Sequence, residues 1–105
     1  MSRLDKLLRM LEAEPEDAFT LYGVAQEYAK RGQDGDVGRA VEFYDRCIAA
    51  DPSYCYAYYH KGRVQADAGE TKAAVATLRE GVAAARKAAD GKALGELTSL
   101  LDSLT

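Results

Sequence analysis

The chain has 105 residues, of which 48% are hydrophobic and 30% charged, and its formal net charge is −3 at pH 7. A chain of this length holds a single core, and the composition excludes a disordered, collagen-like or membrane-spanning protein. The sequence contains no Asn, one His and two Cys, so it has no N-glycosylation site and too few soft ligands for an ordinary Cys/His zinc site.

The first part of the chain predicts two helices. Leucines spaced i, i+3, i+4 and i+7 predict a helix over about residues 2 to 13, and Pro15 ends it. A carboxylate at Asp17 favours the start of a second helix, because acidic groups stabilise helix N-termini. Apolar positions at intervals of three and four carry this helix to a turn near Gly32.

The rest of the chain predicts four more helices. Asp36 is predicted to be the N-cap of a third helix that stops before Pro52. A fourth helix spans Tyr54 to Ala68, and an alanine-rich fifth helix spans about residues 71 to 89. Leucines predict a sixth helix after the break at Asp90-Gly91. Because no strand pattern competes, the predicted fold class is all-α with about six helices.

The helices form an internal repeat. At a shift of 37 residues Pro15 aligns with Pro52, and at a shift of 34 residues Ala40 aligns with Ala74. The two shifts differ by three residues and change over within the turn 33–38. A repeat unit of 34 residues with a three-residue insertion in one turn explains both shifts.

These units resemble the tetratricopeptide repeat (TPR) family, whose unit is a helix-turn-helix with a spaced set of large and small residues. The first unit carries the pattern at Leu21, Val24, Ala25, Tyr28, Gly32, Ala40, Tyr44, Cys47 and Pro52. The second carries it at Tyr58, Lys61, Gly62, Gln65, Gly69, Ala74, Leu78 and Gly81. Lys61 and Gln65 depart from the apolar and aromatic residues that the family prefers, and Arg86 replaces the closing proline. Within the family, the chain is similar to short, stand-alone bacterial TPR proteins.

The resemblance implies one TPR-like α-solenoid of antiparallel helix hairpins over residues 1–105. Residues 1–15 correspond to the second half of a repeat, and residues 18–52 to repeat 1 with the inserted turn. Residues 55–89 correspond to repeat 2, and residues 91–105 to a C-terminal capping helix. Small residues on the facing helices would let the backbones of each hairpin approach closely.

The sequence offers few residues for catalysis. His60 lacks a partner at nucleophile-base spacing and is interpreted as a packed or solvated histidine. Cys47 is expected to be a small buried residue, and Cys55, near a helix start, to lie on the helix surface. The Asp34-Gly35-Asp36 run lacks the ligand spacing of a calcium loop and is expected to be a turn. We therefore predict no enzyme activity, no cofactor and no metal site.

Aromatic side chains mark the predicted binding site. The resemblance implies that the first helix of each unit lines a concave groove and that the residues between its packing positions point into that groove. These residues are Phe19, Tyr22, Gln26, Lys30, Tyr56, Tyr59, Arg63 and Asp67. Four aromatic rings flanked by two cations are typical of a peptide-binding surface, with Tyr22, Tyr59 and Arg63 as the main anchors. The alternative is that Phe19 and some tyrosines fill gaps between adjacent hairpins.

One ligand class known from the family is disfavoured by the sequence. Some TPR domains hold a C-terminal carboxylate with paired lysines and asparagines. This chain has no Asn, and Tyr22 and Gln26 stand where the first such pair would lie.

The predicted function is a non-catalytic protein-protein interaction module that binds a partner peptide or segment in the concave aromatic groove. The alternative function is self-assembly, for example as a homodimer, through exposed leucine faces of the first or last helix. Neither half of the chain is polybasic, so neither nucleic acid nor a membrane surface is an expected partner. The N-terminus has no visible secretory signal, and two cysteines are too few to staple a small fold, so the expected location is cytoplasmic.

Overall fold

The computed structural model describes residues 1–105 as six α-helices without a strand, which confirms the predicted fold class. The helices are α1 (Arg3–Ala13), α2 (Ala18–Arg31), α3 (Asp36–Ala50), α4 (Cys55–Asp67), α5 (Thr71–Lys87) and α6 (Gly91–Leu104). Their bounds lie within a few residues of the predicted ones. No helix has both the length and the apolar character needed to cross a bilayer.

Local side-chain chemistry fixes where the helices begin and end. The Ser2 hydroxyl accepts the N–H of Asp5 at 3.1 Å, and the Asp5 carboxylate accepts the N–H of Ser2, which forms a capping box. The Asp17 carboxylate caps α2 by accepting the N–H of Thr20 at 3.0 Å. Gly32 ends α2 in the left-handed region with φ of 62°, where glycine carries no steric penalty.

The helices are arranged in two layers. Each helix packs against the next along the chain, and α4 also contacts both α2 and α6. The helices α1, α3 and α5 make no contacts with one another. The even-numbered helices therefore form the tighter side of a curved stack measuring 40 × 30 × 18 Å, and we call this side the inner face.

Two hydrophobic clusters hold the stack together, and α4 contributes to both. The first joins α1, α2, α3 and α4, and its buried residues are Leu4, Leu7, Leu11, Leu21, Val24, Ala25, Ala40, Phe43, Tyr44, Cys47 and Ala57. The second joins α4, α5 and α6 through Cys55, Tyr58, Leu78, Ala85, Ala93 and Leu97. Burial of these side chains is the main stabilising contribution to the fold, because removing apolar surface from water is the dominant favourable term in folding.

The leucines of the terminal helices are not exposed. All leucines of α1 and α6 are buried or half-buried, so the leucine faces expected to serve self-assembly are only partly open to solvent. On α1 the exposed large apolar residue is Met10, at 54%, although the repeat register aligns it with the fully buried Cys47. The reason is that α1 packs against α2 alone, whereas α3 packs against α2 and α4.

Two glycines allow α4, α5 and α6 to approach closely. A Cβ atom on Gly62 would lie 2.6 Å from Leu78 Cδ2. A Cβ atom on Gly81 would lie 2.6 Å from Tyr58 Cβ and 2.8 Å from Leu97 Cδ2. The small residues at these repeat positions are therefore required by helix packing and leave no room for a larger side chain.

The polar residues that depart from the TPR pattern are paired with partners on neighbouring helices. The Lys61 ammonium lies 2.6 Å from the Asp45 carboxylate and so links α4 to α3. The buried Thr77 hydroxyl donates to Gln65 Oε1 at 2.7 Å and so links α5 to α4. Lys61 and Gln65 thus each have a polar partner, and for the buried Gln65 such a partner is what burial of a polar group requires.

The turn between α2 and α3 is built around Asp36, which is not the N-cap of α3. The prediction of a cap at this residue is wrong, because Gly35 precedes the helix and Asp36 is its first residue. The Asp36 carboxylate instead folds back to the turn, where it accepts the N–H of Gln33 at 3.0 Å and a bidentate pair from Arg31 at 2.8 and 2.9 Å. Arg39 Nη1 adds a contact at 3.1 Å.

Acid should destabilise the chain partly through this carboxyl. The Arg31 guanidinium holds the pKa of Asp36 well below its usual value, and the N–H of Gln33 and the Arg39 side chain act in the same direction against the effect of burial. The resulting stabilisation should be complete above about pH 4 and be lost as the pH falls towards the folded-state pKa. Urea unfolding between pH 6 and pH 2.5 should therefore show a smaller acid loss for Asp36→Asn than for wild type. Equal pH dependence in the two proteins would contradict this role.

Candidate peptide-binding surface

An aromatic cluster of five residues lies on the inner face with His60 at its centre. The cluster consists of Tyr22 on α2, Tyr54 just before α4, and Tyr56, Tyr59 and His60 on α4. The His60 ring centroid lies 5.1 Å from that of Tyr59, 5.8 Å from that of Tyr22 and 6.5 Å from that of Tyr56. His60 therefore joins the aromatic residues of two successive inner helices into one surface.

The Tyr22 ring of the cluster packs against rings on two sides. The Tyr22 ring lies 5.0 Å from Tyr54 and 6.1 Å from Tyr44 on α3. Burial raises the pKa of Tyr22 to about 12, so its hydroxyl stays neutral at physiological pH. The Tyr44 hydroxyl hydrogen-bonds to Gln26 Oε1, which ties Gln26 to the core of the first hairpin. Both Tyr22 and Gln26 thus also have structural contacts.

The other residues of the predicted groove extend to both sides of this cluster. Arg63 is one turn along α4 from Tyr59, and its Nη1 atom lies 3.5 Å from the Tyr59 hydroxyl oxygen. Phe19 is 70% exposed in the first turn of α2. Asp67 is the exposed last residue of α4. Lys30 lines a separate cleft of about 370 Å³ together with Ser2, Leu4, Glu27 and Arg31.

The inner face continues across α6. A cleft between α4 and α6, with a volume of about 360 Å³, is lined by Tyr59, Gly95, Glu96, Ser99, Leu100 and Ser103. We call it the α4–α6 cleft. Loss of solvent contact, the negative charge of Glu96 and a side-chain hydrogen bond with Glu96 all raise the pKa of Tyr56. Helix α6 therefore adds its own polar groups to the surface formed by α2 and α4.

Sequence reasoning missed several residues of this surface. The spacing within each helix does not reveal that Tyr54 and His60 meet Tyr22, because that contact joins two repeats and depends on how they stack. The interpretation of His60 as a packed or solvated residue agrees with its half-buried position, but its central place among the tyrosines was not predicted. The contribution of α6 beyond a cap was not predicted either. Its periodic leucines were the visible signal that this helix packs in the stack.

The two cysteines are free and buried. Burial raises the pKa of Cys47 to about 12, in keeping with the expected packing role. The expectation that Cys55 lies on the helix surface is wrong, because its side chain is buried in the cluster between α4, α5 and α6. Burial also raises the pKa of Cys55, and this effect outweighs any lowering by the helix N-terminus. No group of three or more His, Cys, Asp or Glu side chains is arranged to hold a metal ion.

His60 should make stability depend on pH near neutrality. Burial lowers the pKa of His60 below its ordinary value of 6.5, Arg63 adds to the effect and Glu96 opposes it. Since the unfolded chain then binds the proton more readily, the stabilisation should be complete above about pH 6.5 and fall as the pH drops below that value. An NMR titration of the imidazole should give a folded-state pKa below 6.5. A value at or above 6.5 would contradict the burial argument.

Comparison with known proteins agrees with this architecture. The tetratricopeptide repeat family matches residues 33–97. A TPR repeat-containing protein of Pseudomonas aeruginosa is 29% identical over 101 residues, which cover 96% of this chain and 93% of that protein. The solution structure of a tetratricopeptide repeat domain protein from Salinibacter ruber superposes with a TM-score of 0.77 at 32% identity, over 87% of this chain and 89% of that one.

A second solved structure bears on the fold alone. The solution structure of a protein from Bordetella parapertussis superposes with a TM-score of 0.82 at 21% identity, over 99% of this chain and 88% of that one. The TPR fold supports protein-protein interaction in general, and its members are typically not catalysts. With two repeated helix hairpins, small residues at the packing positions and relatives matched over nearly their whole length, the chain belongs to the tetratricopeptide repeat family.

Proposed function

We propose that this chain is a non-catalytic module that holds a segment of a partner protein across the inner face of α2, α4 and α6. The observation that carries the proposal is the aromatic cluster. Its rings at Tyr56, Tyr59 and His60 are half-buried on the inner face, so each leaves part of its surface open to a ligand. Tyrosine rings supply large contact areas at little cost in conformational entropy, and their hydroxyls add hydrogen bonds to a bound chain.

The eight proposed groove residues have different roles. Tyr59 and Arg63 are the main anchors, because both are accessible and adjacent on α4. Tyr22 supports them from α2 and is held by rings behind it. Of the remaining groove residues, Phe19, Gln26, Tyr56 and Asp67 widen the surface on both helices. Lys30 lines the separate cleft beside Ser2 and Leu4 and contributes only charge near the groove.

The chemistry of the chain also bears on its partner and location. A net charge of −3 gives no polybasic surface for phosphate groups, so we propose a protein partner in place of nucleic acid or membrane. Two free, buried cysteines suit a reducing compartment, which supports a cytoplasmic location.

Affinity capture from a lysate of the native cell tests the proposal. The bait variants are Tyr59→Ala/Arg63→Ala on the inner face and Arg79→Ala/Glu80→Ala, a matched exposed pair on the outer helix α5. Tyrosine and arginine are among the residue types that contribute most to binding energy at protein interfaces. Loss of both should weaken binding by about 30-fold, or about 2 kcal/mol. The α5 pair should bind like wild type. If a partner binds all three baits equally well while circular dichroism shows that each is folded, the inner face is not the binding site.

A further inference from the structure

The α4–α6 cleft carries the most specific chemistry on the inner face. Its lining combines one aromatic residue, one carboxylate, two serines and one leucine with a glycine that leaves open space. These residues are Tyr59, Glu96, Ser99, Ser103, Leu100 and Gly95. Nothing outside the backbone of α6 lies within 4 Å of the position that a Cβ on Gly95 would occupy, so this side of the cleft is open.

The polar side chains of the cleft mainly offer hydrogen-bond acceptors. The Tyr56 hydroxyl faces the Glu96 carboxylate as a neutral hydrogen-bonding neighbour. No Lys, Arg or His nitrogen lies within 4.0 Å of that carboxylate, which is absent from the four ion pairs of the chain. The Ser103 hydroxyl donates to the Leu100 carbonyl at 2.6 Å, so its oxygen lone pairs are left to accept. The cleft therefore lacks a cationic donor that would satisfy its carboxylate.

We propose that the α4–α6 cleft receives an arginine side chain of the bound partner segment, a proposal that rests on the inner face being the binding surface. A guanidinium presents five N–H donors in a planar fork, which matches a carboxylate in a bidentate pair and also stacks on aromatic rings. Glu96 supplies the carboxylate, Tyr59 the aromatic wall, and Ser103 a further acceptor. The alkyl part of the arginine would lie along Leu100.

The cation already present on the inner face does not fill this role. Arg63 lies at the hydroxyl end of Tyr59, and it is not among the residues that line the cleft. A chain with a net charge of −3 also favours a basic ligand over an acidic one. Charge complementarity therefore points to a partner segment whose arginine enters beside Glu96.

Binding of small capped amino acids to the full chain tests the cleft directly. The probe is N-acetyl-arginine methylamide, and the comparison probes are the corresponding lysine, norleucine and glutamate compounds. We expect the arginine probe to shift the backbone amide NMR signals of Gly95, Glu96 and Ser99 and to bind more tightly than the other three. Glu96→Gln should weaken its binding about tenfold, because a charge-assisted bidentate pair is lost. Glu42→Gln, an exposed carboxylate on α3, should leave the affinity unchanged.

Three results would overturn the assignment. They are equal binding of the norleucine or lysine probe, amide shifts elsewhere in the chain, and an arginine affinity that Glu96→Gln does not alter. The captured partner separates this inference from the proposed function. If capture requires Tyr59 and Arg63 but is unaffected by Glu96→Gln, the assignment of an arginine to the cleft is wrong. The proposal that the inner face binds the partner is then kept. If the arginine probe binds as expected but capture is unaffected by Tyr59→Ala/Arg63→Ala, the proposed function is wrong. The assignment of an arginine-binding cleft is then kept.

Discussion

Replacing Gly81 with alanine should destabilise the chain by about 2 kcal/mol, although alanine is the better helix former by about 1 kcal/mol. The added methyl group would lie 2.6 Å from Tyr58 Cβ and 2.8 Å from Leu97 Cδ2. The Tyr58 Cβ is fixed to the backbone, so the clash is relieved only when α4 and α5 move apart. Urea unfolding followed by circular dichroism measures the change.

The matched control for this substitution is Gly38→Ala. Gly38 lies within α3, and nothing outside the backbone of that helix lies within 4 Å of the position that its Cβ would take, so the added methyl group makes no clash. This variant should be more stable than wild type by up to about 1 kcal/mol, from helix propensity alone. If Gly81→Ala is as stable as Gly38→Ala, the close approach of α4, α5 and α6 is not required.

Replacing Leu97 with alanine should cost about 3 kcal/mol, within the range for truncating a buried leucine. Leu97 is fully buried and anchors α6 in the second hydrophobic cluster. Its loss should also release α6 from α4 and with it the α4–α6 cleft. Amide hydrogen exchange should accelerate in α6 before it does in α2 and α3, which belong to the first cluster.

The comparison variant is Leu104→Ala at the end of the same helix. Leu104 is half-buried, so this truncation should cost less than about 1 kcal/mol. Similar losses of stability for the two variants would mean that contacts spread along α6 hold the helix in place, and that Leu97 has no special role.

The fold was predictable because its signals are local. Leucine spacing, the prolines at 15 and 52 and the glycines at 32 and 69 mark helices and turns by the geometry of a few neighbouring residues. The 34-residue repeat then indicated that successive helix hairpins stack in the same way. The close packing at Gly62 and Gly81 followed from the small-residue positions of the repeat.

The two wrong predictions, at Asp36 and Cys55, concern residues whose contacts cannot be inferred from the spacing of neighbouring residues. Asp36 has the sequence pattern of an N-cap, but Arg31 and Arg39 supply two cations that hold its carboxylate in the preceding turn. Cys55 follows a turn, which favours a surface position, yet α5 and α6 pack over it. In both cases the contacts of the fold outweighed a local preference.

The aromatic cluster of the inner face was predictable in part for the same reason. Helical spacing gives the residues that share one face of α2 or of α4, which located Tyr22, Tyr56 and Tyr59. It does not give the contacts between helices of successive repeats. The central position of His60 and the contribution of Glu96 from α6 depend on those contacts, so they emerge only in the assembled stack.

The central claim is that the inner face binds the partner, and chemical-shift mapping tests it most directly. The isotope-labelled chain is titrated with the shortest segment of the captured partner that retains binding. We predict that the largest backbone shifts fall on Tyr56, Tyr59, Arg63 and the α6 residues of the cleft, with α3 and α5 little changed. Shifts concentrated on the exposed faces of α3 and α5 would contradict the account.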